Sequence, residues 1–176
     1  MPELTGRQFG FIIAYLLPGF IGLAGVAAIV PAVARWLRPM SGGDFGVGAP
    51  LYVLLAAIAM GSTVSCFRWL TLDQLHAATG IHRPALDDRR LMEVLSAFDY
   101  LVQNHFRYYE FCGNSLISLL WAYGVNRYLG TVPFFGLGTD GVILIVCLTL
   151  FAASRDALTK YYSRTGRLVG DLSTKD

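Results

Sequence analysis

The chain has 176 residues, about one domain in length. Of these 55% are hydrophobic and only 15% charged, against about 25% charged in a soluble domain, and the mean hydropathy is +0.51. That balance argues against an ordinary soluble domain and for several lipid-facing helices. The net charge of +2 rests on scattered basic residues, which excludes the clustered positive footprint of a nucleic-acid binder. Cys66, Cys112 and Cys147 are an odd number without a C-x-x-C spacing, so neither a disulfide framework nor a zinc ribbon follows, and buried, inert thiols in apolar runs are expected.

Phe9 to Leu37 is apolar for well beyond the roughly 20 residues that cross a bilayer. A signal peptide would have an apolar region of only about 7–15 residues, so the segment is expected to be a retained transmembrane helix. Pro18 lacks a backbone donor, which predicts a kink near Tyr15 to Gly19. Gly19, Gly22 and Gly25 recur every third residue and form a smooth packing stripe. Pro18-Gly19 reads either as a gating hinge or as the shaping of that surface.

Arg35, Arg38 and Pro39 close the span, and the glycine-rich stretch from Met40 to Pro50 reads as a connection. The second span is expected over Leu51 to Leu70, with Ala57, Gly61 and Ser65 at every fourth position as a helix–helix face. Arg68 beside Trp69 is expected to snorkel to the headgroups. The helical pattern runs on through Thr71 to Thr79, and Gly80 stops it. Pro84 with Asp87 or Asp88 restarts a helix, and Leu91, Leu95, Phe98, Leu101 and Phe106 give it one apolar face. From Asp87 to Gly130 no strong breaker intervenes, because Gly113 and Gly124 are single glycines. One long helix is therefore expected from Asp87 to Gly130, forming the second arm of a cytoplasmic hairpin over about 71–110 and crossing the membrane at 111–129.

A fourth span is expected over 134–153, followed by a helix to about Arg164; Gly166 and Gly170 are expected to end the order, leaving a frayed terminus. With four spans, both termini and the hairpin share one side. Of the 14 lysines and arginines only Arg35, Arg38 and Arg127 fall on the other side, a positive-inside bias that makes both termini cytoplasmic.

The chemistry-bearing residues lie on the third span. Gln103, Arg107, Glu110, Asn114 and Ser118 share one helical face, and an ionisable group at membrane depth is costly unless paired or wet. Three readings stand: Arg107 and Glu110 pair while Asn114 bonds a neighbouring helix; the stripe lines a pore between copies with Glu110 as a charged ring; or Glu110 exchanges protons or binds substrate. His76, His82 and His105 have no H-x-x-x-H or H-E-x-x-H spacing, and Asp99, His105 and Glu110 are spread around the helix, so solvated side chains rather than metal ligands are expected. Ser115 has no histidine in another span as its base, and Asp87-Asp88 suits a helix N-terminus. Phe106, Tyr108, Tyr109 and Phe111, with Trp121, Tyr123 and Tyr128, read as interfacial aromatic belts.

The expected fold is all-α: a single integral membrane domain of four transmembrane helices, N-in and C-in, with spans two and three extended into the hairpin. Neither a cofactor nor a metal is expected, and nothing convergent supplies enzyme chemistry. The partners expected are the lipid bilayer, copies of the chain in a homo-oligomer, and a cytosolic protein recruited through Arg89 and Arg90, but no nucleic acid. Two functions follow: an oligomeric channel or pore gated by the hairpin, or a non-conducting anchor or assembly subunit, including a partner-triggered effector of a bacterial inner membrane.

Overall fold

The computed structural model describes residues 10, 12–37, 48–84, 88–129 and 137–173. Expectations that touch Arg7, Phe9, Arg38, Pro39, the connection over 40–47, Asp87, residues 130–136 and residues 174–176 lie outside them, as does the side chain of Arg90. Every regular element among the described residues is helical. A π-helical turn, Ile12–Leu16, leads into α1, Leu17–Ile29; α2 is Pro31–Leu37 and α3 is Gly48–Ala78. Then come α4, Asp88–Glu93, α5, Leu95–Leu101, a second π-helical turn, Val102–Phe106, α6, Arg107–Tyr128, and α7, Leu137–Ser173.

Among the described residues, three helices are long and apolar enough to cross a membrane: Ile12–Ile29, the α3 segment Pro50–Ala78 and the α7 segment Asp140–Gly170. The 31 residues of α3 and the 37 of α7 rise about 46 and 55 Å at 1.5 Å per residue, against about 30 Å of hydrocarbon. Both are therefore longer than a bilayer's hydrocarbon is thick. Helix α6 packs against α1, α3 and α7, so it is the axis around which the apolar helices gather.

The break points have local causes. Val30 is extended (φ −111°, ψ 103°) because the following Pro31 disfavours helix at its neighbour. The single helix expected over Phe9 to Leu37 is thus two, α1 and α2. The π-helical turn falls just ahead of Pro18, where the missing proline N–H disturbs the helical ladder. Gly80 takes φ +94° and ends α3, a conformation open to glycine without steric cost.

Two further expectations are corrected. The helix expected from Asp87 to Gly130 is interrupted at Val94 (φ −118°, ψ 28°) and again by the π-helical turn at Val102–Phe106. The C-terminal segment does not lose order at Gly166 and Gly170: α7 continues to Ser173. It continues because it has something to pack on. Tyr109, Ala157 and Leu158 form a buried cluster with Phe106, Tyr162 and Ile81 around it, and Tyr161 meets Phe98 and Phe106 at ring separations of 6.4 and 5.1 Å. Burying a side chain such as Leu158 contributes about 2 kcal/mol. Arg155 fastens the end of α3 by donating to the Thr79 carbonyl at 3.0 Å, and Arg164 meets His105 Nε2 at 2.8 Å.

Candidate functional site

The site is assembled where α1, α3 and α6 come closest. An added Cβ on Gly19 would lie 1.8 Å from the Ala57 carbonyl oxygen, and one on Gly61 would lie 2.0 Å from the Tyr15 carbonyl oxygen. Only glycine lets these backbones approach so closely. Gly22 faces Met60, Gly25 receives the Trp121 indole, and Ala57 is fully buried. Ser65, half-buried, continues the α3 face. The contact brings Tyr15 of the π-helical turn and Arg68 of α3 onto the polar stripe of α6.

Glu110 is the centre of that stripe and is 4% exposed. Tyr15 donates its hydroxyl to Glu110 Oε1 at 3.0 Å, and Arg107 Nη1 donates to Oε2 at 2.6 Å. Arg68 Nη2 stands 4.0 Å from Oε1. Its guanidinium lies 4.7 Å above the centre of the Tyr109 ring, where the ring's negative face adds cation–π attraction. Tyr109 in turn donates to Asp73 Oδ1. Two guanidinium groups and a phenol thus hold one carboxylate, and the second carboxylate is held by a phenol.

A second polar group lies one turn deeper. Asn114 is fully buried, and its Nδ2 donates to the Ala14 carbonyl at 2.8 Å. Ala14 stands four residues before Pro18, whose ring nitrogen has no hydrogen to offer it. Asn114 therefore supplies the donor that the proline removed. Ser115 and Ser118 are also buried. Asn114 Oδ1, Ser115 Oγ and Ser118 Oγ find no hydrogen-bond partner among the described residues, and the same holds for Arg68 Nε and Nη1.

The polar stripe expected from spacing is thus brought together: Glu110, Asn114 and Ser118 are buried, and Arg107 and Gln103 are half-buried at one end. Arg68 was expected to snorkel outward and instead is buried against α6. It has room because Gly113, the floor beneath its stem, would place a Cβ 2.7 Å from Arg68 Cδ. The spacing holds a signal for both missed partners. Arg68 lies seven residues beyond Gly61 on the α3 packing face, and Tyr15 lies four before Gly19 on the α1 face.

His76 was expected to be solvated beside the turn. It is fully buried: Nε2 lies 3.1 Å from Ser154 Oγ, and the ring lies tilted against Phe151 at a centroid separation of 5.3 Å. Cys66 was expected to be buried and is exposed, whereas Cys112 is buried and Cys147 is half-buried. Arg89 is exposed on α4. Among the described residues no three His, Cys, Asp or Glu side chains converge as a metal site would require. Burial, reinforced by Arg164 and Lys160, holds the His105 imidazole below its ordinary pKa.

Comparison with protein-family models, with curated proteins and with solved structures finds no match to this chain.

Proposed function

We propose that the chain is a non-conducting integral membrane subunit that presents an intracellular helical platform to a cytosolic protein. The observation that carries this reading is the burial of Glu110, Asn114 and Ser118 inside a single chain. A conduit shared between copies needs those side chains on an outer face. Here they brace one protomer, as polar groups commonly do between membrane helices.

In this reading α6 is a fourth span. Its 22 residues rise about 33 Å, it packs against the three apolar helices, and its polar face is turned inward, as an ionisable residue in lipid requires. The distribution of basic residues favours cytoplasmic termini in a bacterial inner membrane. The platform is then the end of α3, helices α4 and α5, and the far half of α7. Its surface carries exposed Met92, Leu95 and Tyr100 with Arg89, Arg164 and Arg167. That mixture suits a partner with an acidic, partly apolar face.

The experiment is affinity purification after chemical crosslinking in cells, with Arg89→Glu/Arg90→Glu beside the wild type. A protein recovered with wild type and lost with the variant is the expected result. Recovery unaffected by the double charge reversal would overturn recruitment through α4.

A conducting reading retains one specific support. Asn114 Oδ1, Ser115 Oγ and Ser118 Oγ lack partners among the described residues, and buried polar atoms of this kind are ordinarily satisfied by water. A hydrated track along α6, gated by the hairpin or completed by further copies in a homo-oligomer, would use them. Ion flux separates this reading from the first.

A further inference from the structure

We propose that a trough at the end of the bundle away from Glu110 binds one acyl chain of a membrane lipid. The trough has a volume of about 430 Å³ and runs between the last turn of α1 and the last turns of α6, lined by Ile29, Leu120, Trp121, Gly124, Val125 and Tyr128. Its lining is aliphatic and aromatic, with no charged side chain. An apolar wall of this kind gains by covering hydrocarbon and offers nothing to a charged or hydrogen-bonding ligand.

Its position selects a lipid. One wall belongs to α1, a helix apolar enough to cross the membrane. The other belongs to the end of α6, where Arg127 stands 3.7 Å from Asp140 and Tyr123 donates to Asp140 at 2.6 Å. Trp121 and Tyr128 with this charged pair mark the level of the headgroups, so a tail descending from that level enters the trough directly. The packing of α1 argues against a second copy. The small-residue face that would accept a helix is already filled, since Gly25 receives Trp121 from within the chain. Gly124 leaves the floor open: a Cβ built there meets nothing within 4 Å.

The proposal rests on the reading of α6 as a span but not on recruitment of a partner. The full chain carrying Trp36→Phe and Trp69→Phe retains Trp121 as its single tryptophan, because the sequence holds three. It is reconstituted with phosphatidylcholine brominated on its acyl chains, and the bromolipid is then exchanged for unbrominated lipid. Quenching of Trp121 that survives exchange is expected, with its loss in Gly124→Leu, whose side chain occupies the trough without meeting protein atoms at its Cβ. Gly124→Ala, which fills less of it, should lose only part.

Quenching that disappears fully on exchange in the unaltered trough would overturn the proposal while leaving the span in place. Absence of any quenching would overturn both. Persistent quenching equal in Gly124→Leu would also overturn it, as would a Tyr128→Cys chain that crosslinks to its copy in membranes as retained lipid is lost.

Discussion

Helices α6 and α7 pack against each other and distribute their side chains in opposite ways. Helix α6 hides Glu110, Asn114, Ser115 and Ser118, whereas α7 exposes Val142, Leu144, Ile145 and Leu148 over its first turns. In water the cost of stranding polar groups would favour the reverse. In a bilayer, an apolar surface faces hydrocarbon without penalty, and a polar one must find partners inside the protein. Beyond Ser154 the pattern of α7 changes: Ala157, Leu158 and Val169 are buried, while Asp156 and Lys160 pair at 2.6 Å on the outside. In the proposed membrane reading, the two helices mark where the surroundings change from lipid to water.

The contrast can be broken most severely at the seam that positions α6. Gly19→Leu or Gly61→Leu drives a side chain into a backbone carbonyl, which no rotamer relieves. Neither variant should be recovered as a monodisperse protein in detergent, as size-exclusion chromatography would show. Folded protein from both would mean that the α1–α3 approach is looser than described.

Removing the buried carboxylate comes next. Glu110→Ala leaves Arg68 and Arg107 without their shared counter-charge, and breaking a buried ion pair costs about 3–5 kcal/mol. Thermal denaturation in detergent should show a large fall in midpoint. A variant as stable as wild type would mean that Glu110 is solvated rather than braced.

Asn114→Ala should cost about 1–3 kcal/mol, the penalty for a buried acceptor deprived of its donor. The informative comparison is with Pro18→Ala, which returns an N–H to the helix at the Ala14 carbonyl. In that background Asn114→Ala should cost less, a coupling of about 1 kcal/mol. Strictly additive losses would separate the asparagine from the proline.

The smallest effect concerns His105, which accepts from Arg164 at 2.8 Å. Its pKa is lowered from 6.5 by burial, with Arg164 and Lys160 adding to the shift. The unfolded chain therefore binds the proton more readily. The contribution to stability is present above about pH 6.5 and is lost as pH falls towards the lowered folded value. Hydrogen-exchange protection factors over Leu95–Phe106, which divide out the intrinsic pH dependence of exchange, should fall between pH 7 and 5 in wild type, and should change less in His105→Gln.

These comparisons also show what the sequence could reveal. Apolar run lengths and the stop at Gly80 are local properties and were legible, as was the shared face of Glu110, Asn114 and Ser118. The break before Pro31 was missed, although the restriction proline places on Val30 held the signal. The interruption at Val94 has no comparable signal. Partners were hardest to see: Tyr15 lies 95 residues from Glu110 along the chain, and Ala14 lies 100 from Asn114. Periodicity gives the face a residue occupies but not the helix that covers it. Arg68 was misjudged for this reason, since snorkelling and inward pairing are both open to an arginine near the end of a span. The order of the C-terminal segment was hidden similarly, because α7 continues past Gly166 and Gly170 while packing on α4, α5, α6 and the second π-helical turn, contacts that lie far away in the sequence.

The central claim is that the polar stripe braces one protomer instead of lining a conduit. Ion flux into liposomes containing purified wild type, with Glu110→Gln alongside, tests it most directly. The account predicts no flux from either protein when both are shown to be folded and inserted, together with a lower denaturation midpoint for Glu110→Gln. A flux through wild type whose ion selectivity changes in Glu110→Gln would contradict it and place Glu110 in a conducting path.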